Sequence, residues 1–189
     1  MVHSANIDLQ DVYEAQKYVF ETNYAYWIEH VLFSFNWWLL LIIAIVPWFI
    51  WWRYVDKERI IEISLIGLLS MVIVTCLDII GTSFAFWTYG FKVVQMLTTM
   101  STVDMTLLPI LNMFLYQLFP KWKSYMIASI VLALIGTFIV EPLFAWGDIY
   151  ILHEWKYIYS FPIYITFTTF LKWFVQKIKA YEEKMKKKI

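Results

Sequence analysis

The stretch "IIEISLIGLLSMVIVTCLDIIGTS", residues 60–83, decides the fold. As a helix rising ~1.5 Å per residue it is long enough to cross the ~30 Å hydrocarbon core of a bilayer. Near its end it carries an aspartate, Asp78. An ionisable side chain at membrane depth faces the bundle interior, a water-filled cavity or a partner. The one segment therefore predicts both a multi-pass bundle and an acid inside it.

Four further runs of the same character flank it: 33–53 (FSFNWWLLLIIAIVPWFIWWR), 103–119 (VDMTLLPILNMFLYQLF), 125–146 (YMIASIVLALIGTFIVEPLFAW) and 157–176 (YIYSFPIYITFTTFLKWFVQ). Over the whole chain 61% of residues are hydrophobic and only 16% are charged, too apolar a balance for a soluble domain. The pattern predicts an all-α polytopic membrane protein, a bundle of five transmembrane helices in a single membrane domain over 1–189. Within it, 1–30 form an extracytoplasmic segment, 31–177 the bundle and 178–189 a basic cytoplasmic tail. In "NIDLQDVYEAQKYVFETNYAYW", Leu9, Val12, Val19, Phe20, Tyr24 and Trp27 recur at helical spacing beside acids, which predicts an amphipathic helix. This acidic start lacks the basic flank and short apolar core of a cleaved signal sequence, so the first span is expected to stay as an anchor. Cys76 is the only cysteine, and no intrachain disulfide can form.

Orientation follows from the basic residues. With the N-terminus outside, Arg53, Lys57, Arg59, Lys121, Lys123, Lys172, Lys177, Lys179, Lys184, Lys186, Lys187 and Lys188 lie inside, and only Lys17, Lys92 and Lys156 lie outside. The reading is a cell-membrane protein with its C-terminus in the cytoplasm. Trp48, Trp51, Trp52, Trp122 and Trp173 fall at the inner interface, and Trp37, Trp38, Trp87, Trp146 and Trp155 at the outer one, as aromatic belts do. The bilayer is the expected partner, with anionic lipid at the lysine-rich tail. Zero net charge and this class exclude nucleic acid, while a homo-oligomer stays open.

Depth arithmetic gives Asp78 companions. It stands ~28 Å above Arg59, Glu141 stands ~27 Å above Lys123, and Asp104 sits in the first turn of the descending third span. Three carboxylates from three helices thus share one level near the outer edge, and Asp78, Asp104 and Glu141 are the expected ligand- or ion-binding group. At about 100° per residue the side of Asp78 also carries Ser64, Gly67, Met71, Thr75, Thr82 and Ala85, while Glu62 points away toward Arg59 or Arg53. Pro142 removes a backbone donor and disfavours helical geometry at Glu141, which predicts a kink there; Pro109 and Pro162 add further breaks.

Each acid also has a purely structural reading. Asp78 would accept from Thr82 or an indole N–H, and Asp104 in "STVDM" would cap a helix. His30, Asn36, Thr82 and His153 are accessory candidates on the same side; Asn36, Asn112 and Tyr116 also suit interhelical hydrogen bonds. No HExxH or close His/Asp spacing is present, so no metal site and no cofactor is assigned. The aromatic stretches "FAFWTYGF" and "HEWKYIYSF" read as interfacial anchors, with a quaternary-ammonium cage as the alternative. The outer connection 88–102 is expected to hold a short interfacial helix around Lys92 to Leu97, lidding the acids.

The blocks "WWLLLIIAIVPWFIWWRYVDKERIIEI", "LDIIGTSFAFWTY", "LLPILNMFLYQLFPKWKSY" and "EPLFAWGDIYILHEWKYIYSFPIYI" cover most of the chain after residue 27. They resemble a family of small multi-pass membrane proteins of spore-forming Gram-positive bacteria. The resemblance implies a membrane bundle and carries no mechanism. A fainter likeness links "FWTY" and "EPLF" to membrane-embedded carotenoid cyclases, whose motifs pair an intramembrane proline with acids; here Glu141 precedes Pro142 and the paired acid is missing.

Three functions follow from these residues. The sequence favours an outward-facing acidic pocket that binds or transports a proton, metal ion or organic cation. A structural or sensory subunit, whose acids only lock helices, is the second. An intramembrane enzyme using Asp78 and Glu141 as acid and base on a lipid or isoprenoid is the third; no nucleophile motif or phosphate loop supports it.

Overall fold

The computed structural model describes residues 8–97, 99, 100 and 102–187. The first seven residues of the predicted N-terminal segment, Ser101 of "STVDM" and Lys188 of the tail lie outside these.

Helix α1 (Leu9–Tyr26) opens on a capping box: the Asp11 amide donates to Asp8 and the Asp8 amide to Asp11, each at 2.9 Å. It buries none of its residues and runs into a wide π turn, Trp27–Val31. Helix α2 (Phe35–Tyr54) starts where Ser34 Oγ accepts from the Trp37 amide. A 3-10 turn at Lys57–Arg59 leads into α3 (Ile60–Ser83). A π turn at Val103–Leu107 continues as α4 (Leu108–Leu118). Helix α5 (Trp122–Ile135), a third π turn at Gly136–Val140 and α6 (Glu141–Trp146) make one rod, and α7 (Tyr157–Lys186) closes the chain.

The protein is mostly helical, and three of its rods, Phe35–Tyr54, Lys57–Ser83 and Trp122–Trp146, are long and apolar enough to cross a membrane. Val103–Leu118 is a shorter apolar rod. The expected segments at 60–83 and 103–119 fall on observed rods almost residue for residue. The last helix outruns its expected span, because 177–186 have good helix formers and no breaker; the predicted tail is helical through Lys186.

The chain gathers alternate connections at two ends. At one end Trp27 Nε1 donates to Lys92 O, Trp37 Nε1 to Val93 O, and Asn36 Nδ2 to Gly147 O. At the other, the Asp56 amide donates to Gln117, and the buried Lys172 donates to Phe119 O and Pro120 O at 2.8 and 2.9 Å. Trp51, Val55, Ile63, Ile66, Tyr125 and Leu171 build the core near this second end; Leu40, Met100 and Ile149 build a smaller one near the first.

Three expectations are corrected here. The protein is not wholly α: β1 (Trp87–Tyr89) pairs antiparallel with β2 (Tyr150–Leu152), Tyr89 opposite Tyr150. Helices α3 and α6 both end in Schellman caps: the Phe86 amide donates to Gly81 O and the Ile149 amide to Phe144 O, with Ala85 and Asp148 left-handed at φ 53° and 54°. These caps turn both chains so that their next residues pair. The outer connection therefore has no helix at Lys92 to Leu97, since 87–89 are committed to the strand pair and 91–97 to extended and turn structure. Nor does Pro142 break helical geometry at Glu141, which keeps φ −59° and ψ −48°. The π turn before it widens the coil instead, so the missing donor of Pro142 falls where the hydrogen-bond register is already shifted.

Candidate functional site

The strand pair aims side chains at the end of α3. Because successive strand residues face opposite sides, Trp87 and Tyr89 point together at Asp78 while Thr88 points away to His153. Trp87 Nε1 donates to Asp78 Oδ1 at 2.7 Å, Tyr89 OH donates to the same oxygen, and the Met100 amide donates to Oδ2 at 3.0 Å. The indole can approach because residue 81 is glycine: a Cβ there would lie 2.0 Å from the Trp87 ring.

Glu141 is held in parallel fashion by α7. Tyr164 OH donates to Oε1 at 2.6 Å and Ser160 Oγ to Oε2 at 3.1 Å, while Trp155 Nε1 donates to Ser160 Oγ. The Trp87 and Trp155 rings meet edge to face at 5.0 Å, joining the two carboxylate nests.

Asp104 differs from both. It is buried, and its Oδ2 meets no donor among the described residues. It forms no helix cap, since the π turn that contains it has no side-chain cap bond. Leaving a buried acceptor unsatisfied costs about 1–3 kcal/mol, more when it is charged.

All three acids line one cavity of about 510 Å³. Its wall is mostly apolar, with Leu77, Ile80, Leu107, Leu108, Leu111, Leu132, Ile163 and Phe167 from α3 to α7. Among the described residues, Asn112, Ser129 and Thr168 are its polar groups away from the acids, and no lysine, arginine or histidine lines it. Tyr150 also faces the cavity, packing on Tyr89 at 5.8 Å. Burial first, and then the charge of Asp78, pushes the Tyr89 phenol far above its ordinary range, so it remains a donor. Tyr150 is raised likewise, by burial and then by the charges of Glu141 and Asp78. Burial lowers the Lys92 ammonium in the adjoining loop, against the pull of Asp78.

The four accessory candidates do not line this cavity. His30 is exposed and pairs with Glu29 at 3.8 Å. Asn36 ties α2 to Gly147 O, an interelement bond as one of its two readings had it. Thr82 donates to the Asp78 backbone carbonyl, not to the carboxylate. His153 bonds Thr88 on the outer face of the strand pair. Among the described residues no group of three His, Cys, Asp or Glu side chains is placed to hold a metal ion. At the opposite end Glu62 pairs with Arg59 at 3.4 Å, as expected, and also with Lys179 at 3.0 Å and the Tyr116 hydroxyl.

The sequence reading allowed an indole N–H at Asp78 without naming which, and missed the other side chains that hold the acids. Trp87 and Trp155 counted as belt residues and instead donate inward; Trp37 and Trp48 donate inward too, Trp48 to Thr106 Oγ1. The available signal was the indole placed just after a span that ends in a buried acid. No protein-family model, curated protein or solved structure matches this chain.

Proposed function

We propose that this is a five-span membrane protein whose outward-facing cavity binds an organic cation with a hydrocarbon body. The observation that carries the reading is an imbalance: among the described residues, three carboxyl groups and no basic side chain line one cavity whose other walls are mostly apolar. A ligand ammonium supplies the missing counter-charge, and its chain replaces lipid or water against the leucines. The rings of Trp87, Tyr89, Tyr150 and Trp155 around the acids add cation–π attraction. A bare metal ion matches the apolar wall poorly and finds no ligand triad among the described residues. The outward placement rests on the distribution of lysine and arginine, which crowd the end opposite the acids.

The test is titration calorimetry of octylamine into the protein in lipid nanodiscs, with protein-free nanodiscs as reference. Wild type is expected to bind saturably, and Asp104→Asn to weaken binding on the order of ten- to a hundredfold, the worth of a charge-assisted hydrogen bond. Absence of saturable binding, or wild-type affinity in both Asp104→Asn and Glu141→Gln, overturns the reading.

A further inference from the structure

The cavity has a second polar end. Asn112 on α4 is wholly buried; its Nδ2 donates to Leu108 O at 2.9 Å and to Ser70 Oγ at 3.2 Å. Only an amide nitrogen can donate to a carbonyl, so the other atom is fixed as Oδ1, and it meets no donor among the described residues. Two other polar groups of the cavity wall, Ser129 and Thr168, are spent in the same sense. Ser129 Oγ donates to Tyr125 O at 2.8 Å, and Thr168 Oγ1 donates to Tyr164 O at 2.9 Å, which leaves both with lone pairs. This end therefore offers acceptors, as the acid end does.

Two unpaired acceptors among the described residues that line the cavity, Asp104 Oδ2 and Asn112 Oδ1, belong to one rod, eight positions apart, hence about 12 Å along its axis. In a straight α-helix such positions stand about 80° apart around the axis. The π turn at Val103–Leu107 takes up an extra residue and brings them toward one face. Leu107, Leu108 and Leu111 lie between them on the cavity wall.

Resting on the reading above, we infer that the ligand is two-headed: a linear molecule with an ammonium at the acids, an apolar middle, and a second hydrogen-bond donor, ammonium or hydroxyl, at Asn112. Asn112 is then the residue that selects length. The experiment compares octylamine, diaminobutane and diaminooctane by the same calorimetry. Wild type is expected to bind diaminooctane about tenfold more tightly than octylamine, one further hydrogen bond, and diaminobutane more weakly than diaminooctane because it cannot span the two ends. In Asn112→Leu the ratio of diaminooctane to octylamine affinity is expected to fall to about one. If octylamine binds but diaminooctane gains nothing in wild type, the inference is wrong while the binding reading stands. If the ratio persists in Asn112→Leu, the second head lies elsewhere and the inference is wrong. If no amine binds, both fall. Should Asn112→Leu not fold, the three-ligand series in wild type decides alone.

Discussion

At the scale of single residues, the arrangement around Asp78 depends on what is absent at position 81. A methyl group there would occupy the space of the Trp87 ring, and an indole wedged between α3 and Tyr150 has little room to move. Gly67 is the internal comparison: its added Cβ would meet the Met113 sulfur at 2.6 Å, the end of a flexible chain. Gly81→Ala is expected to cost about 1–3 kcal/mol by overpacking and to dislodge the indole from Asp78, while Gly67→Ala costs less. Thermal unfolding of both variants in nanodiscs checks the order; equal melting temperatures would show that Trp87 does not lie on α3. Asp78 itself was legible, since an acid in an apolar span must find partners, and an indole N–H was one of the two named for it. Its remaining donors, the Tyr89 hydroxyl and the Met100 amide, were not. They come from a loop whose path is set by a left-handed alanine, and Ala85 gives none of the signal that a glycine at that position would.

At the scale of elements, the π turns matter most and were invisible. Asp104 lies inside one and Glu141 follows another, each close to a proline at 109 or 142. Proline announces a disturbance of the ladder, but sequence does not say whether the helix bends or widens. Widening keeps each rod continuous and turns its acid toward the cavity. The lengths of the rods up to 146, by contrast, were legible because hydrophobic runs end where polar or turn residues begin, whereas α7 runs on through polar helix formers to Lys186. Helix α1 was legible too, through its capping acids and helical spacing, yet it stands apart from the bundle. A chain lacking residues 9–25 is therefore expected to keep its melting temperature and its octylamine affinity. A fall of several degrees on that truncation would mean that α1 packs on the bundle in the membrane.

For the whole molecule, the alternation of the two ends, with 27–37, 87–97 and 147–153 at one and 54–62, 117–122 and 172–179 at the other, matches the charge asymmetry read from lysine and arginine. In a Cys76→Ser background, cysteines at Lys17, Lys92 and Lys156 are expected to react with an impermeant maleimide on sealed cells, and those at Lys57, Lys121 and Lys184 to stay unlabelled; labelling at Lys121 would contradict the proposed five-span arrangement. That the three acids stand at one depth was an expectation from helix rise alone. That they share one cavity was not legible in the sequence, because rise fixes height and leaves the order of helices around the bundle open. The central claim is that convergence, and cysteine crosslinking tests it most directly. With Cys76→Ser as background, Asp78→Cys combined with Glu141→Cys is treated with a short bis-maleimide, and Asp78→Cys with Glu62→Cys, ~24 Å apart along α3, serves as control. The account predicts efficient crosslinking of the first pair, between the α3 and α5–α6 fragments after proteolysis, and none of the second. Equal yields from the two pairs would contradict it.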